Sequence, residues 1–508
     1  MATTRRKDVQ AGIVCVKAYG FTTEQTQPWR GGAAQNGTGT GFFVPPLQAQ
    51  RQPHDEDESF ILTCAHVVES ASQVSIILPL QGRSELPARV VCIIPSCSYD
   101  LALLAVRLTA KQRAGTHTLR LGDSDALVAT EDTVIAVGFS MGFEGMGWSE
   151  GKYSTLQAGR LQHTASISGG NSGGPLVNSK YEVVGVNSSG MFGSTANNIN
   201  FAVPIELYKR VQARMFSAGA PGILRLPMFG FCYESTSSVQ ALLDVSSTGI
   251  LAGGAAEEDE GGVRVCAVLS TGPAARAGLI IGDILLAFNG DRIDRNGEVS
   301  VPWHIQRVEL DQILRRTTDS SAAYALEIKR ANGAMHTLRV SPDAAMHVNG
   351  MFTRLPPFDP LRYVGFAGMV FQDLCANFFQ DELLGAQLAP LKTPEERVKP
   401  RVIITCIVRG ADPVLGRNLK TGLTVSHINR RRVSNLTEVR IALLIPVADK
   451  RGAPVLEVVT TNNRAYVTPI LDVVLAETQQ NRPYALEENV LHSLRKIKNL
   501  GLSAAKLS

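Results

Sequence analysis

From Ala11 to about Val203 the apolar positions fall in short runs rich in Val, Ile and Thr, cut by glycine-rich turns, and hardly any recur at helical spacing. The runs Gly12–Ala18, Thr38–Val44, Phe60–Val67, Arg89–Ile94, Leu101–Val106, Thr133–Gly138, Pro175–Val177, Glu182–Val186 and Asn198–Val203 read as strands. Many short strands with turn signals predict an all-β barrel or sandwich. An insert from Pro45 to Ser59, with Pro45-Pro46 and the acidic run Asp55–Glu58, reads as a solvated loop between two of them. Pro204 then changes the period. Ile205, Leu207, Tyr208, Val211 and Met215 recur at near-helical spacing, and Gly219–Gly222 ends the segment, which marks a domain boundary.

Beyond that boundary the pattern mixes strands (Val263–Val268, Ile284–Phe288, Tyr324–Lys329, His336–Val340) with helical patches up to Pro342. The Pro-rich connector Leu355–Pro360 leads into a third mixed unit, and a tail follows that looks helical and then basic. The expected domains are 11–218, 226–342 and 361–475, with a helical tail over 476–508. A chain of 508 residues needs such a division, because single cores stop growing near roughly 250–300 residues. Composition is globular, at 44% hydrophobic and 19% charged, and a net charge of +4 leaves no nucleic-acid footprint. The eight cysteines show neither a CxxC pair nor a Cys/His metal spacing and read as reduced, buried thiols. Without a Walker loop or an HExxH, the sequence implies no nucleotide, no metal and no other cofactor. No window reaches the ~20 apolar residues of a membrane span. Charged Met1–Gln10 runs straight into a strand, and the ending Ala505–Ser508 only approximates a peroxisomal signal, so an intracellular address, cytoplasmic or nuclear, is expected.

Three segments carry chemistry. Gly170-Asn171-Ser172-Gly173-Gly174 places a serine in a glycine-rich turn, where the amides of Gly170 and Ser172 can converge on one point. Leu62–Val68 holds His66 in an apolar run, and Asp100 heads the buried run Leu101–Leu104. Each alone has an ordinary reading: a β-turn, a core histidine, a turn residue. Together they follow the order His, Asp, Ser across a β-rich domain, the chymotrypsin-type order. The serine turn also fits GxSxG, but the alternating strands and helices of an α/β-hydrolase are missing around it. His66 would take the Ser172 proton, Asp100 would hold the imidazole, an acyl-enzyme would form, and Gly170 and Ser172 would supply the oxyanion hole. Ser166, six residues before the serine, together with Asn187, Ser188 and Ser189, would line a small, uncharged substrate pocket suited to modest aliphatic residues.

These residues resemble the HtrA/Deg proteases. Gly37–Phe43 is similar to that family's first barrel signature, Leu62–Val68 to its histidine strand, Asp100–Leu104 to its aspartate strand and Gly170–Leu176 to its serine loop. The resemblance implies a mainly β chain: a chymotrypsin-like double β-barrel followed by two α+β PDZ-like domains. Gly272–Gly290 looks like a PDZ helix, turn and strand, with Phe229-Gly230-Phe231 as its carboxylate-binding loop, and Tyr363–Gly368 gives a weaker echo in the third unit. Two departures stand out: Gln162–Ile167 lacks the Asp that the family often has there, and Gly151–Gln162 is short for an activation loop. The expected function is ATP-independent cleavage of unfolded or damaged proteins. Peptide C-termini would bind the first PDZ-like module, and the chain would form a homo-oligomer, a trimer or a multiple of one. Trp29, Phe42-Phe43 and Phe378-Phe379 are candidates for contacts between copies. A chaperone-like or scaffolding protein with a latent protease domain is the alternative.

Overall fold

The computed structural model describes residues 6–47, 58–142, 145–190, 199–218, 221–237, 261–343, 352–381, 384–408, 413–479, 483–485 and 487–496. Most of the insert and the last residues of the tail lie outside this set. The chain forms two compact units, one of Met1–Phe21 with Ala34–Met346 and one of Thr22–Ala33 with His347–Ser508.

In the first unit, β1 (Ile13–Thr23), β2 (Gly31–Val44), β3 (Glu58–Thr63), β4 (Ala71–Ile77), β5 (Glu85–Ile94) and β6 (Leu101–Arg107) close into a barrel through the β5–β6 pairing. β6 is paired on both sides and buried from Leu101 to Val106, which explains its unbroken apolar run. A second closed barrel runs β7 (Thr133–Gly138), β8 (Gly147–Gln157), β9 (Arg160–His163), β12 (Asn200–Pro204), β11 (Val183–Gly190) and β10 (Pro175–Asn178). The helix Ile205–Ser217 buries the five apolar residues that the spacing picked out, against a core shared by Phe42 and Leu103 of one barrel and Val177 and Val203 of the other. Burial of each such side chain stabilises by roughly 1.5–3 kcal/mol.

The expected strand Phe60–Val67 is corrected. β3 stops at Thr63, and Ala65–Val68 is one helical turn. The Asp100 carboxylate accepts the His66 amide at 3.0 Å, an anchor at the start of that turn that pulls the chain off the strand path.

After β13 (Gly222–Ile223), parallel to β5, a third element of the first unit forms a sheet in the order β14 (Phe231–Ser235), β15 (Val263–Val268), β16 (Ile284–Phe288), β20 (Tyr324–Lys329), β21 (Met335–Val340). β17 (Asp291–Arg292) pairs with β16, and β18 (Glu298–Val301) forms a hairpin with β19 (His304–Glu309). The helix Leu310–Arg316 ties this module to the barrels. Arg316 makes a two-pronged ion pair with Asp125 at 2.9 and 3.0 Å, and its guanidinium lies 3.5 Å from the centre of the Trp303 ring. Tyr99 donates its hydroxyl to the Arg315 carbonyl.

The second unit has its own sheet, β22 (Val364–Phe366), β23 (Met369–Asp373), β24 (Val402–Ile407), β25 (Thr424–Ile428), β28 (Pro454–Thr460), β27 (Val447–Ala448), with β26 (Arg431–Arg432) on β25 and β29 (Ala465–Pro469) on β28. Strands β23, β24, β25, β28 and β29 repeat the order of β14, β15, β16, β20 and β21, and the helix Leu436–Leu443 precedes β28 as Leu310–Arg316 precedes β20. One difference is β22, which adds antiparallel to the edge of β23. Trp29 packs here, 5.9 Å from the Tyr363 ring and 6.0 Å from Tyr484. The aromatics expected between copies are therefore corrected. Phe42, Phe43 and Phe378 are buried in the chain's own cores, Phe379 packs partly buried beside Phe378, and Trp29 is held by the two tyrosines.

Candidate active site

His66 rides on the helical turn after β3, and Asp100 precedes β6, the strand paired with β3, so the ladder brings the two side by side. His66 Nδ1 lies 2.9 Å from Asp100 Oδ2 and 3.1 Å from Oδ1. Asp100 is 2% exposed and adopts a φ of 60°, a left-handed conformation that Asp tolerates better than most residues. Ser188 donates its hydroxyl to Asp100 Oδ2 at 2.6 Å. Burial alone would raise the Asp100 pKa, but the hydrogen bonds from His66 and Ser188 and the nearby imidazole outweigh it and lower the value. Burial alone would lower that of His66, and the Asp100 hydrogen bond and charge reverse this and raise it. The pair is thus set to favour an imidazolium backed by a carboxylate.

Ser172 lies between β9 and β10, in a turn fixed by both barrels. The Thr40 amide donates to the Ser172 carbonyl at 2.8 Å, the Thr40 hydroxyl to the Gly170 carbonyl at 2.7 Å, and the Gly173 amide to the Asn187 carbonyl at 2.7 Å. Gly173 has a φ of 86°, and a Cβ there would lie 2.1 Å from the Thr40 carbonyl and the Thr63 hydroxyl, so no other residue fits. Among the described residues neither the Gly170 nor the Ser172 amide is held by another backbone carbonyl. Two unengaged amides beside a serine hydroxyl can receive an oxyanion. The Ser172 hydroxyl itself donates to the Ser188 carbonyl at 3.0 Å. A cleft of about 300 Å³ opens beside it, with His66, Ser172 and Gly170 among its lining residues.

The expected substrate pocket fares differently. Ser166 is exposed, whereas Asn187 and Ser188 are buried, Asn187 donating to the Pro175 carbonyl at 3.1 Å and Ser188 to Asp100. Ser188 is therefore a support of the acid, and its hydroxyl is not free to line an open pocket. Ser189 continues β11 opposite Phe201. Phe229, Gly230 and Phe231 lead into β14, the edge strand of its sheet. The Phe229 ring packs against Phe288 and Tyr324, and Gly230 takes a φ of 82°.

Sequence reasoning missed the three groups that depend on long-range placement: the Ser188 hydroxyl, the Thr40 and Thr63 bracing, and Arg160. Arg160 comes from β9 and donates to the carbonyls of Tyr99 and Ser98, directly before Asp100. His163, also on β9, is fully buried, with a hydrogen bond to the Ala165 backbone that offsets this burial only in part. Burial lowers its pKa to about 4. Cys64 lies beside His66 and Asp100, where burial raises the pKa of its thiol, and the thiol donates to the Asn187 carbonyl at 3.2 Å.

Residues 39–186 match the family model described as Trypsin-like peptidase domain. A probable periplasmic serine endoprotease of the DegP-like type from Pseudomonas putida is 28% identical over 412 residues, which are 79% of this chain and 72% of that one. A putative serine protease HhoB from Synechocystis is 30% identical over 290 residues, 55% of this chain and 62% of that one. Among solved structures, an HtrA-type protease AlgW with a decapeptide covers 68% of this chain and 100% of its own at 20% identity, with a TM-score of 0.49. The DegP-like relatives are named periplasmic, which overturns the cytoplasmic or nuclear address expected from the sequence. No helix among the described residues is long and apolar enough to cross a membrane.

Proposed function

The chain belongs to the HtrA/Deg-type serine proteases, and from that premise we propose that Ser172, His66 and Asp100 form its catalytic triad and that it digests unfolded proteins. It is a serine-type endopeptidase acting on protein or peptide substrates. The observation that carries the triad assignment is the His66–Asp100 contact at 2.9 Å beside a serine flanked by two unengaged amides.

His66 Nε2 takes the Ser172 proton as the hydroxyl attacks the scissile carbonyl, and the Gly170 and Ser172 amides bind the oxyanion. His66 then gives the proton to the leaving amine and helps water to cleave the acyl-enzyme. Asp100, kept ionised by His66 and Ser188, holds the imidazole in the tautomer that leaves Nε2 free. Before attack the Ser172 hydroxyl must leave the Ser188 carbonyl. A substrate strand adding to β11 would claim that carbonyl with its own N–H, which frees the hydroxyl for His66 and couples activation to binding.

The two C-terminal modules are PDZ-like domains of different use. The middle one presents the edge of β14 behind Phe229-Gly230-Phe231, and among the described residues no strand covers that edge, so it takes peptide C-termini. In the third, β22 of the chain itself fills the equivalent edge, which closes that module to peptides. The periplasmic address of the DegP-like relatives is assigned to this chain as well. Assembly into a trimer or its multiples is expected, because no ATPase or lid restricts access to the site, and light scattering near the 54.6 kDa of one chain would refute it.

The test is digestion of reduced casein by the wild type and by Ser172→Ala. Cleavage by the wild type with none by the variant supports the assignment, and equal cleavage by both sinks it.

A further inference from the structure

The cleft beside Ser172 has a side. In the acyl-enzyme mechanism the histidine protonates the leaving amine, so the leaving segment of substrate lies on the histidine's side of the serine. The cleft of about 300 Å³ is on that side, walled by Ala18, Gly37 and Thr38 from β1 and β2 and by Val67, Ser70 and Ala71 from the chain after His66. None of these carries a carboxylate or a cation. The Lys17 ammonium donates to the Thr38 hydroxyl at 3.1 Å. A cationic side chain entering here would lose water without gaining a counter-charge.

Gly37 is a wall residue on β2 whose glycine the backbone does not require. Its φ is outside the left-handed region, and an added Cβ would make only ordinary contacts, 3.7 Å to the Ala18 Cβ and 3.7 Å to the Val67 carbonyl. At Gly20, in contrast, a Cβ would lie 2.1 Å from the Ser70 carbonyl. The missing side chain at Gly37 leaves the cleft its room. Building on the triad assignment, we propose that this cleft receives the first substrate side chain after the scissile bond, that it disfavours cationic residues there, and that Gly37 sets the size it admits.

The experiment uses the full chain and a set of quenched peptides that differ only at the first residue after the cleaved bond: Ala, Leu, Phe, Gln, Asp and Lys. With the wild type, kcat/KM for Leu, Phe and Gln should exceed that for Lys by roughly ten-fold, and the Asp peptide, which can meet Lys17, should exceed the Lys peptide. In Gly37→Leu the Leu and Phe peptides should fall by roughly ten-fold relative to the Ala peptide, a selective loss that general damage does not produce. Gly37→Ala, one carbon larger than the native residue, should show the same trend more weakly and carries the test if Gly37→Leu fails to fold. Equal rates for Lys and for the uncharged residues overturn the proposal, as does a Gly37 variant that slows every peptide by one factor. Cleavage of the set that persists in Ser172→Ala would instead refute the triad assignment beneath it.

Discussion

At the scale of single residues, the proposed catalytic pair, His66 and Asp100, defines a pH profile. Activity needs neutral His66, and Asp100 raises the His66 pKa above its ordinary 6.5, so kcat/KM should climb through an apparent pKa above 6.5. Asp100→Asn removes the charge that causes the rise and leaves burial, which lowers the value. The acidic limb should then move below 6.5, with activity down by about four orders of magnitude as the wrong tautomer is held. A limb that stays in place would mean that Asp100 does not govern His66. His163 gives the opposite case. Its folded pKa, about 4, is depressed below the 6.5 of the unfolded chain, so the unfolded state binds the extra proton. Its contribution is full above pH 6.5 and is lost as pH falls through about 4, worth roughly 3 kcal/mol at about 1.4 kcal/mol per unit. Urea denaturation of His163→Leu between those limits should show a flatter decline than the wild type, and an unchanged slope would contradict the burial argument.

Elements show why part of the site was legible in sequence and part was not. β6 and the helix Ile205–Ser217 could be read because their buried faces are written in local period: an unbroken apolar run in one, five residues at helical spacing in the other. β8 and β9 were missed because their residues, Gly147–Gln157 and Arg160–His163, are largely polar and buried only in part. The serine turn announced itself through glycines that its backbone requires. Ser188 did not, because its contact with Asp100 spans 88 positions and exists only once β11 lies beside the β6 entry. Likewise, the helix Leu310–Arg316 gives no sign in sequence that it docks on the barrels. Breaking its ion pair in Arg316→Ala, or in Asp125→Ala, should loosen the middle module from the barrels, seen as faster limited proteolysis between residues 218 and 226. The charge swap Asp125→Arg with Arg316→Asp should restore part of the protection. If both single variants resist protease as the wild type does, the Tyr99–Arg315 contact and its apolar surroundings suffice without the pair.

For the whole molecule, the proposed catalytic cleft is assembled from two barrels. Barrel one contributes His66, Asp100 and the Thr40 and Thr63 braces, and barrel two contributes Ser172 and the Ser188 support. Substrate therefore meets a site that is intact only when the barrels are packed together through the core around Tyr208. In the modules that follow, no strand among the described residues pairs with the outer edge of β14, whereas β22 pairs with that of β23. All of this depends on Ser172 being the reactive hydroxyl. The most direct measurement is labelling of the full chain with a fluorophosphonate at neutral pH, followed by mass-spectrometric mapping of the modified residue. The structure predicts a single adduct on Ser172 that vanishes in His66→Ala, because the hydroxyl is a poor nucleophile without its base. An adduct on any other serine, or labelling of Ser172 that proceeds unchanged without His66, would contradict it.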